Sequence, residues 1–190
     1  MTLALIDNDA DLEPSDVTPS DLKAIRLRLG LDMAELAQLL GMPGRRDIVE
    51  NLEKARTWTM HQGHIDALLA LEEAFDMVVD NLIGALDGVY FLIGYPNDGV
   101  FAEMEPHAFA VLKFNSVHRM ALANVQSALT VYDEDGTPSA PAIVEIIPTR
   151  YAEFRRDRPD TPEMRAAWAR EHVAVYKVKP GLPIIGRPES

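Results

Sequence analysis

Residues 18–58 carry a closely spaced series of helix start and stop signals, which constrains the fold more than any other stretch of the chain. Thr18 and Asp21 form a capping box, in which side-chain oxygens satisfy backbone N–H groups at the positive end of a helix. Gly30 ends the apolar stripe that follows, because glycine tolerates the left-handed backbone at a helix C-terminus. The signals predict a first helix between these residues.

Two further short helices follow in the same stretch. Asp32 and Glu35 form a second capping box, and Gly41 suits the left-handed residue that closes the helix they begin. A third helix is predicted from about Asp47 to Lys54, with its apolar side chains inward and its charged side chains outward or flanking. The three helices have the spacing of a helix-turn-helix, a unit that sets one helix into the major groove of DNA.

The charge of the chain is acidic overall but unevenly distributed. Eighteen Lys and Arg against 30 Asp and Glu give a formal net charge of -12, which repels nucleic acid at long range unless the basic residues are gathered on one face. Residues 20–58 hold seven of the 18 basic side chains against six acids, whereas residues 59–112 hold nine acids and no Lys or Arg. This segregation favours a nucleic-acid-binding face on the three predicted helices.

The third helix and its flanks carry side chains suited to DNA recognition. Arginine forks to guanine, asparagine pairs with adenine, and lysine or arginine at the periphery holds phosphates. Any exposed helix face shows such residues, so the helix alone does not distinguish a DNA-binding face from a solvated one. The candidate contacts to bases or nearby phosphates are Arg45, Arg46 and Asn51, and those that mainly hold the backbone are Lys23, Arg26, Lys54 and Arg56.

A longer helix is predicted at about residues 61–84, with an apolar stripe broad enough for burial against the N-terminal bundle, the C-terminal region or a second subunit. We expect residues 18–84 to form a helix-turn-helix DNA-binding domain closed by this helix. Residues 1–17 contain five acids and no basic residue, and they are predicted to form a disordered acidic arm.

Residues 87–190 predict a small α+β domain for dimerisation or effector binding, which makes the whole chain α+β with an all-α N-terminal bundle. Asn115 or Ser116 is the expected cap of the first helix in this half. Residues 115–136 and 160–181 share a capped helix that leads into a strand, which suggests a repeated strand-helix-helix-strand unit. The predicted strands are 89–95, 107–114, 130–132, 141–148 and 173–181, and the predicted helices are 115–129, 149–160 and 161–172.

Sequence signatures of catalysis and cofactor binding are absent. The chain has no Walker loop, GxGxxG, HExxH or nucleophile elbow, and without cysteine it has no disulfide or thiolate zinc site. His61 and His64 lack an evident third ligand, and Glu103 with Glu105 most simply form a solvated acidic pair. We expect a protein that is not an enzyme and that holds no metal and no cofactor.

The segment RYAEFRRDR combines four arginines with two aromatic residues at positions 150–158. One interpretation is contact with phosphates or stacking on bases. The other is a solvated helix on which the arginines pair with neighbouring acids, here Glu153 and Asp157.

LKAIRLRLGLDMAELAQLLG resembles the first two helices of the lambda-repressor-like (Xre) helix-turn-helix family. The chain is most similar to its YdiL-like group, which includes anti-CRISPR-associated autorepressors, over residues 18–84 and 142–178. It departs from the family where Met33 replaces a phosphate-contacting glutamine and where Leu52 and Ala55 replace tryptophan and glycine. The turn GMPGRRD is also about two residues longer. The resemblance implies a homodimeric repressor that recognises an inverted repeat, with the C-terminal half making the dimer.

These observations favour a cytoplasmic DNA-binding regulator whose partners are double-stranded DNA and a second copy of itself, with no membrane association. A protein-interaction module, such as an antitoxin or adaptor that uses the acidic surface and the long apolar helix, is the main alternative. A third interpretation is an RNA-binding regulator that uses both basic segments.

Overall fold

The computed structural model describes residues 17–56, 60–85, 91–132 and 134–176. These residues form helices and strands together, which confirms the mixed class expected from the sequence. The chain divides into two compact units, Met1–Glu72 and Glu73–Ser190. The acidic arm predicted at residues 1–17 lies outside the described residues except for its last residue.

The first unit contains the three short helices predicted from the sequence, the first two from their caps and glycines and the third from its apolar side chains. Thr18 and Asp21 form their capping box, in which the Asp21 backbone N–H donates to the Thr18 hydroxyl at 3.2 Å. Asp32 and Glu35 form theirs, and Gly41 has a φ of +71°. The helices are α1 (Pro19–Arg28), α2 (Met33–Leu39) and α3 (Arg46–Glu53), followed by α4 (Gln62–Ala85), whose second part belongs to the second unit.

Apolar side chains from all three short helices form the core of the first unit. α3 packs against both α1 and α2. The side chains predicted to face inward from α3 are buried, which confirms that expectation. The buried apolar residues of these helices and of the turns that join them are Leu22, Leu29, Leu31, Leu36, Ala37, Leu40, Ile48, Val49 and Leu52.

The second unit is built around a parallel pair of strands. Leu92 pairs with Ile143 in a four-residue register, and α7 and α9 both pack against the two strands. A short antiparallel pair, β2 with β3, forms a separate sheet. The elements are β1 (Phe91–Gly94), α5 (Asp98–Met104), α6 (Pro106–Leu112), α7 (Asn115–Ala128), β2 (Val131–Tyr132), β3 (Pro138–Ser139), β4 (Ala142–Glu145), α8 (Pro148–Arg155) and α9 (Pro162–Tyr176).

The strand predicted at residues 107–114 is wrong, because this segment forms most of α6. An apolar run of this length has no period that separates strand from helix, and Pro106 suits the first position of a helix. Asn97 caps the preceding helix α5, and its side chain accepts the Val100 N–H at 3.0 Å.

Two further expectations about the second unit are also corrected. The final strand predicted at residues 173–181 is wrong at residues 173–176, which continue α9, and its remainder lies outside the described residues. The strand that the proposed repeat places after α9 therefore falls beyond residue 176, outside the described residues, and the repeat stays a prediction. Neither Asn115 nor Ser116 caps α7; the Asp98 carboxylate instead accepts the Asn115 N–H at 2.6 Å.

The longest helix, α4, contributes apolar side chains to both units. Ile65, Leu68 and Leu71 are buried in the first unit. In the second unit, its side chains at 79, 82 and 83 pack against the cluster of Leu92, Leu122 and Val125. Across the part of the chain that the structure describes, no helix combines the length and apolar character needed to cross a membrane.

A buried ion-pair network centred on Arg165 joins α9 to the rest of the second unit. Its guanidinium donates to both oxygens of Asp160 at 2.9 Å and to the Met104 carbonyl at 2.8 Å, and it also pairs with Glu105. Burial acts to lower the pKa of Arg165, but Asp160 and the neighbouring Tyr95 and Glu105 raise it above its usual range. Arg165 therefore stays charged, and its carboxylate partners compensate for its burial.

His118 is a second buried titratable group in this unit. It is 7% exposed, and its ring stacks on Phe101 with centroids 4.5 Å apart. Burial lowers the pKa of His118 to about 4, so the imidazole is neutral near pH 7.

We expect the Arg165→Ala variant to lose about 1–2 kcal/mol of folding free energy, because it removes the hydrogen bonds of Arg165, while solvent screens the partly exposed carboxylates of Asp160 and Glu105 that remain. Urea denaturation followed by circular dichroism measures the change. Arg170→Ala removes an exposed arginine from the same helix and should stay within about 0.5 kcal/mol of the parent. An equal, small effect of both changes would contradict a stabilising role for the network.

Acidification should destabilise the fold through His118. Its pKa is lower in the folded chain than in the unfolded chain, so the unfolded state takes up the proton first as pH falls from about 6.5 to about 4. The shift corresponds to roughly 3 kcal/mol lost across that interval. His118→Phe keeps the ring stacking and should remove this component from the dependence of unfolding free energy on pH. An unchanged pH profile in the variant would show that His118 does not contribute.

Candidate nucleic-acid interface

The core of the first unit determines which face of α3 is exposed. Ile48, Val49 and Leu52 are at most 4% exposed and point toward α1 and α2. Arg46 and Asp47 are therefore exposed at the beginning of the helix. The candidate interface consists of this exposed face and its flanks.

Arg45 and Asp47 form an exposed ion pair at the beginning of α3. The Arg45 Nε and Nη2 atoms donate to the two carboxylate oxygens, each at 3.1 Å. This hydrogen bonding raises the pKa of Arg45 and lowers that of Asp47. Both residues are exposed, so solvent screens the pair and phosphate or base edges can compete for the guanidinium.

Arg46, Glu50 and Lys54 follow one another at four-residue spacing, so they share one side of α3. The Lys54 ammonium bonds the Glu50 carboxylate. The pKa of Glu50 is lowered first by this hydrogen bond and charge, with smaller effects from Arg46 and Arg56. Glu50 is thus a carboxylate surrounded by three cations.

Arg46, Arg56 and Lys23 are exposed, and their side chains form no hydrogen bond or ion pair with any residue in the described ranges. Asn51 is half-buried on α3, and its side-chain amide likewise has no such partner there. These four groups remain available for an external ligand. The charge of Arg46 contributes to the lowered pKa of Glu50, whereas the charge of Lys23 does not.

Arg26 is the one predicted backbone contact that the structure contradicts. It is 8% exposed, and its guanidinium donates to Glu53 at 2.5 and 3.3 Å and to the Leu31 carbonyl at 3.0 Å. All three guanidinium nitrogens are therefore bonded inside the unit. Arg26 holds α1 to α3 and is removed from the candidate DNA contacts.

Six residues, 40–45, separate α2 from α3. Gly41 and Gly44 have φ values of +71° and +80°, a backbone that glycine adopts without strain. The Met42 N–H donates to the Ala37 carbonyl at 2.8 Å, and the Arg45 N–H donates to the Met42 carbonyl at 3.0 Å. The long turn is therefore an ordered connection that brings Arg45 and Arg46 to the positive end of α3.

His61 and His64, whose spacing could suit a metal, lie at the beginning of α4 with ring centroids 5.4 Å apart. Over the ranges that the structure describes, no group of three or more His, Asp or Glu side chains is arranged to hold a metal ion.

No protein-family model and no curated protein matches this chain. The resemblance to the lambda-repressor-like family thus remains a prediction carried by residues 18–84 and 142–178.

Ala55 follows α3 with a φ of +55°, at the position where the resembling family commonly has glycine. We expect Ala55→Gly to stabilise the protein by about 1 kcal/mol, because the left-handed backbone strains alanine more than glycine. Ala70→Gly, at an exposed position inside α4, is the matched control and should destabilise by about 1 kcal/mol. Denaturant unfolding compares the two variants; destabilisation by both would contradict strain at Ala55.

Proposed function

We propose that the protein is a DNA-binding transcriptional regulator, a homodimeric repressor that inserts α3 into the major groove. The observation that carries the proposal is the composition of the candidate interface. Its apolar side is buried, and its exposed side presents four basic groups at the beginning and end of one helix against two carboxylates. The basic groups are Arg45, Arg46, Lys54 and Arg56, and the acids are Asp47 and Glu50.

The beginning of α3 is the end suited to base contact. In a helix-turn-helix, N-terminal residues of the recognition helix approach the base edges. Arg45 and Arg46 lie there, and Arg46 has no hydrogen bond or ion pair in the described ranges to give up, although its charge acts on Glu50. Asn51, one turn further along, would pair with adenine.

The distal end of α3 is suited to the phosphate backbone. Lys54 and Arg56 are both exposed, and a phosphate can replace Glu50 as the partner of Lys54 because that ion pair is open to solvent. Lys23 on α1 adds an exposed ammonium. The released Glu50 carboxylate would then face base edges, where it can accept from the amino group of cytosine.

A two-fold dimer would carry two copies of α3 about 34 Å apart, matching the half-sites of an inverted repeat. The dimer is proposed to form through the second unit, as the family resemblance implies. Because the chain as a whole is acidic, association would depend on short-range contacts and would weaken steeply with salt.

Arg46→Ala and Asn51→Ala should each weaken binding to the operator by about 1–3 kcal/mol if they contact bases. The measurement is fluorescence anisotropy of the purified protein on its own upstream DNA across a salt titration. Arg170→Ala, an exposed arginine of the second unit, is the control and should bind as the parent does. Unchanged affinity in both α3 variants would remove this assignment.

A protein-interaction module is the second candidate, and the ion pairs on α3 favour it. Asp47 and Glu50 neutralise two of the four cations, which reduces the positive potential available to DNA. Absence of DNA binding even at low salt would select this alternative over the repressor.

A further inference from the structure

We propose that α8 and the residues just after it form a second DNA-binding surface, which holds backbone phosphates independently of base sequence. It is formed by Arg150, Arg155, Arg156 and Arg158, the α8 arginine cluster. The inference goes beyond the proposed role of α3 and rests on the proposed function only in naming DNA as the ligand.

The arginines of the cluster are not neutralised by the acids beside them. Glu153 and Asp157 form no ion pair with any of the four within the described ranges, which contradicts the interpretation of a salt-bridged, solvated helix. On α3, by contrast, Asp47 and Glu50 bind two of the four cations. The charge of Arg155 contributes to the lowered pKa of Asp160. The other arginines of the cluster thus offer cations without a carboxylate partner in the described ranges, which a polyanion would neutralise.

Arg158 compensates the negative end of α8. Its Nη2 donates to the Phe154 carbonyl at 2.7 Å and its Nε to the Arg155 carbonyl at 3.1 Å. The guanidinium carbon also lies 5.3 Å from the centroid of the Phe154 ring. These contacts satisfy carbonyls that would otherwise repel an anion at a helix C-terminus. Arg158 therefore orders the surface on which the other arginines act.

Arg155 lies partly beneath this surface. Its side chain is half-buried, and its Nε–H is buried without an acceptor in the described part of the chain. An external phosphate does not reach a buried atom, so the phosphate contacts fall to the exposed guanidinium groups of Arg150 and Arg156. Phosphate oxygens bind such groups through charge-assisted, often bidentate hydrogen bonds.

Arg156 occupies a backbone conformation that favours glycine, with φ +53° and ψ -125°. A long charged side chain at such a position is unexpected on structural grounds, since glycine would end the helix with less strain. Local strain of this kind is found where a side chain has a role in binding. Arg156 is exposed, as is Arg150 on the first turn of the same helix.

The test compares two double variants of the full-length protein on duplex DNA of arbitrary sequence. Arg150→Ala/Arg156→Gly removes two charges from the cluster, and the glycine keeps the backbone of residue 156 unstrained. Arg119→Ala/Arg170→Ala removes two exposed charges from α7 and α9 and is matched in net charge. Anisotropy between about 50 and 200 mM salt gives the affinity and its salt slope.

The cluster variant should reduce the salt slope by about 2, so the loss of affinity over that salt range becomes about tenfold smaller. The control should retain the parental slope. Equal changes of slope in both variants would show that the effect comes from net charge alone. An unchanged slope in the cluster variant would show that the cluster does not contact phosphates. Either result overturns the proposal. Arg46→Ala, measured on the upstream DNA that holds the operator, separates the two proposals, because its failure to weaken operator binding counts against α3 alone.

Discussion

The buried pair of Arg26 and Glu53 is the contact on which the candidate interface depends. A guanidinium this far from solvent is tolerated only when its donors are bonded, and here Glu53 and the Leu31 carbonyl meet that need. The pair joins α1 to α3 across 27 residues of sequence. Together with the apolar face of α3, it fixes the rotation of the helix and thereby selects the side chains that reach solvent.

Burial separates arginines of identical chemistry into two roles. Arg26 and Arg165 lie inside their units. Their guanidinium groups donate hydrogen bonds to carboxylates and carbonyls, and these contacts stabilise the fold. Arg46 and Arg156 are exposed without ion pairs to residues that the structure describes, so their charge is available to an external anion. An acidic protein can therefore present basic surfaces, provided that they are local and lie on ordered helices.

The two proposed DNA-binding surfaces differ in how their charge is balanced. On α3, two carboxylates share the exposed face with four cations, an arrangement that weakens indiscriminate attraction to phosphate and leaves room for base recognition. In the α8 arginine cluster, neighbouring acids leave the cations unpaired, which suits contacts that do not depend on base sequence. The first arrangement favours specificity and the second favours affinity.

Local sequence alone determined α1 and α2, because capping boxes and glycines act within a few residues of the helix ends. It determined α3 through the spacing of its apolar side chains, since α3 has no side-chain cap. The segregation of basic charge was also visible there. Only the tertiary structure distinguished Arg26 from Lys23, since the partner Glu53 is distant in sequence. Tertiary context also accounts for α6 in the apolar run predicted as a strand at 107–114, since α6 packs against α5 and α7. Short apolar segments suit helix and strand alike, so packing decides between them.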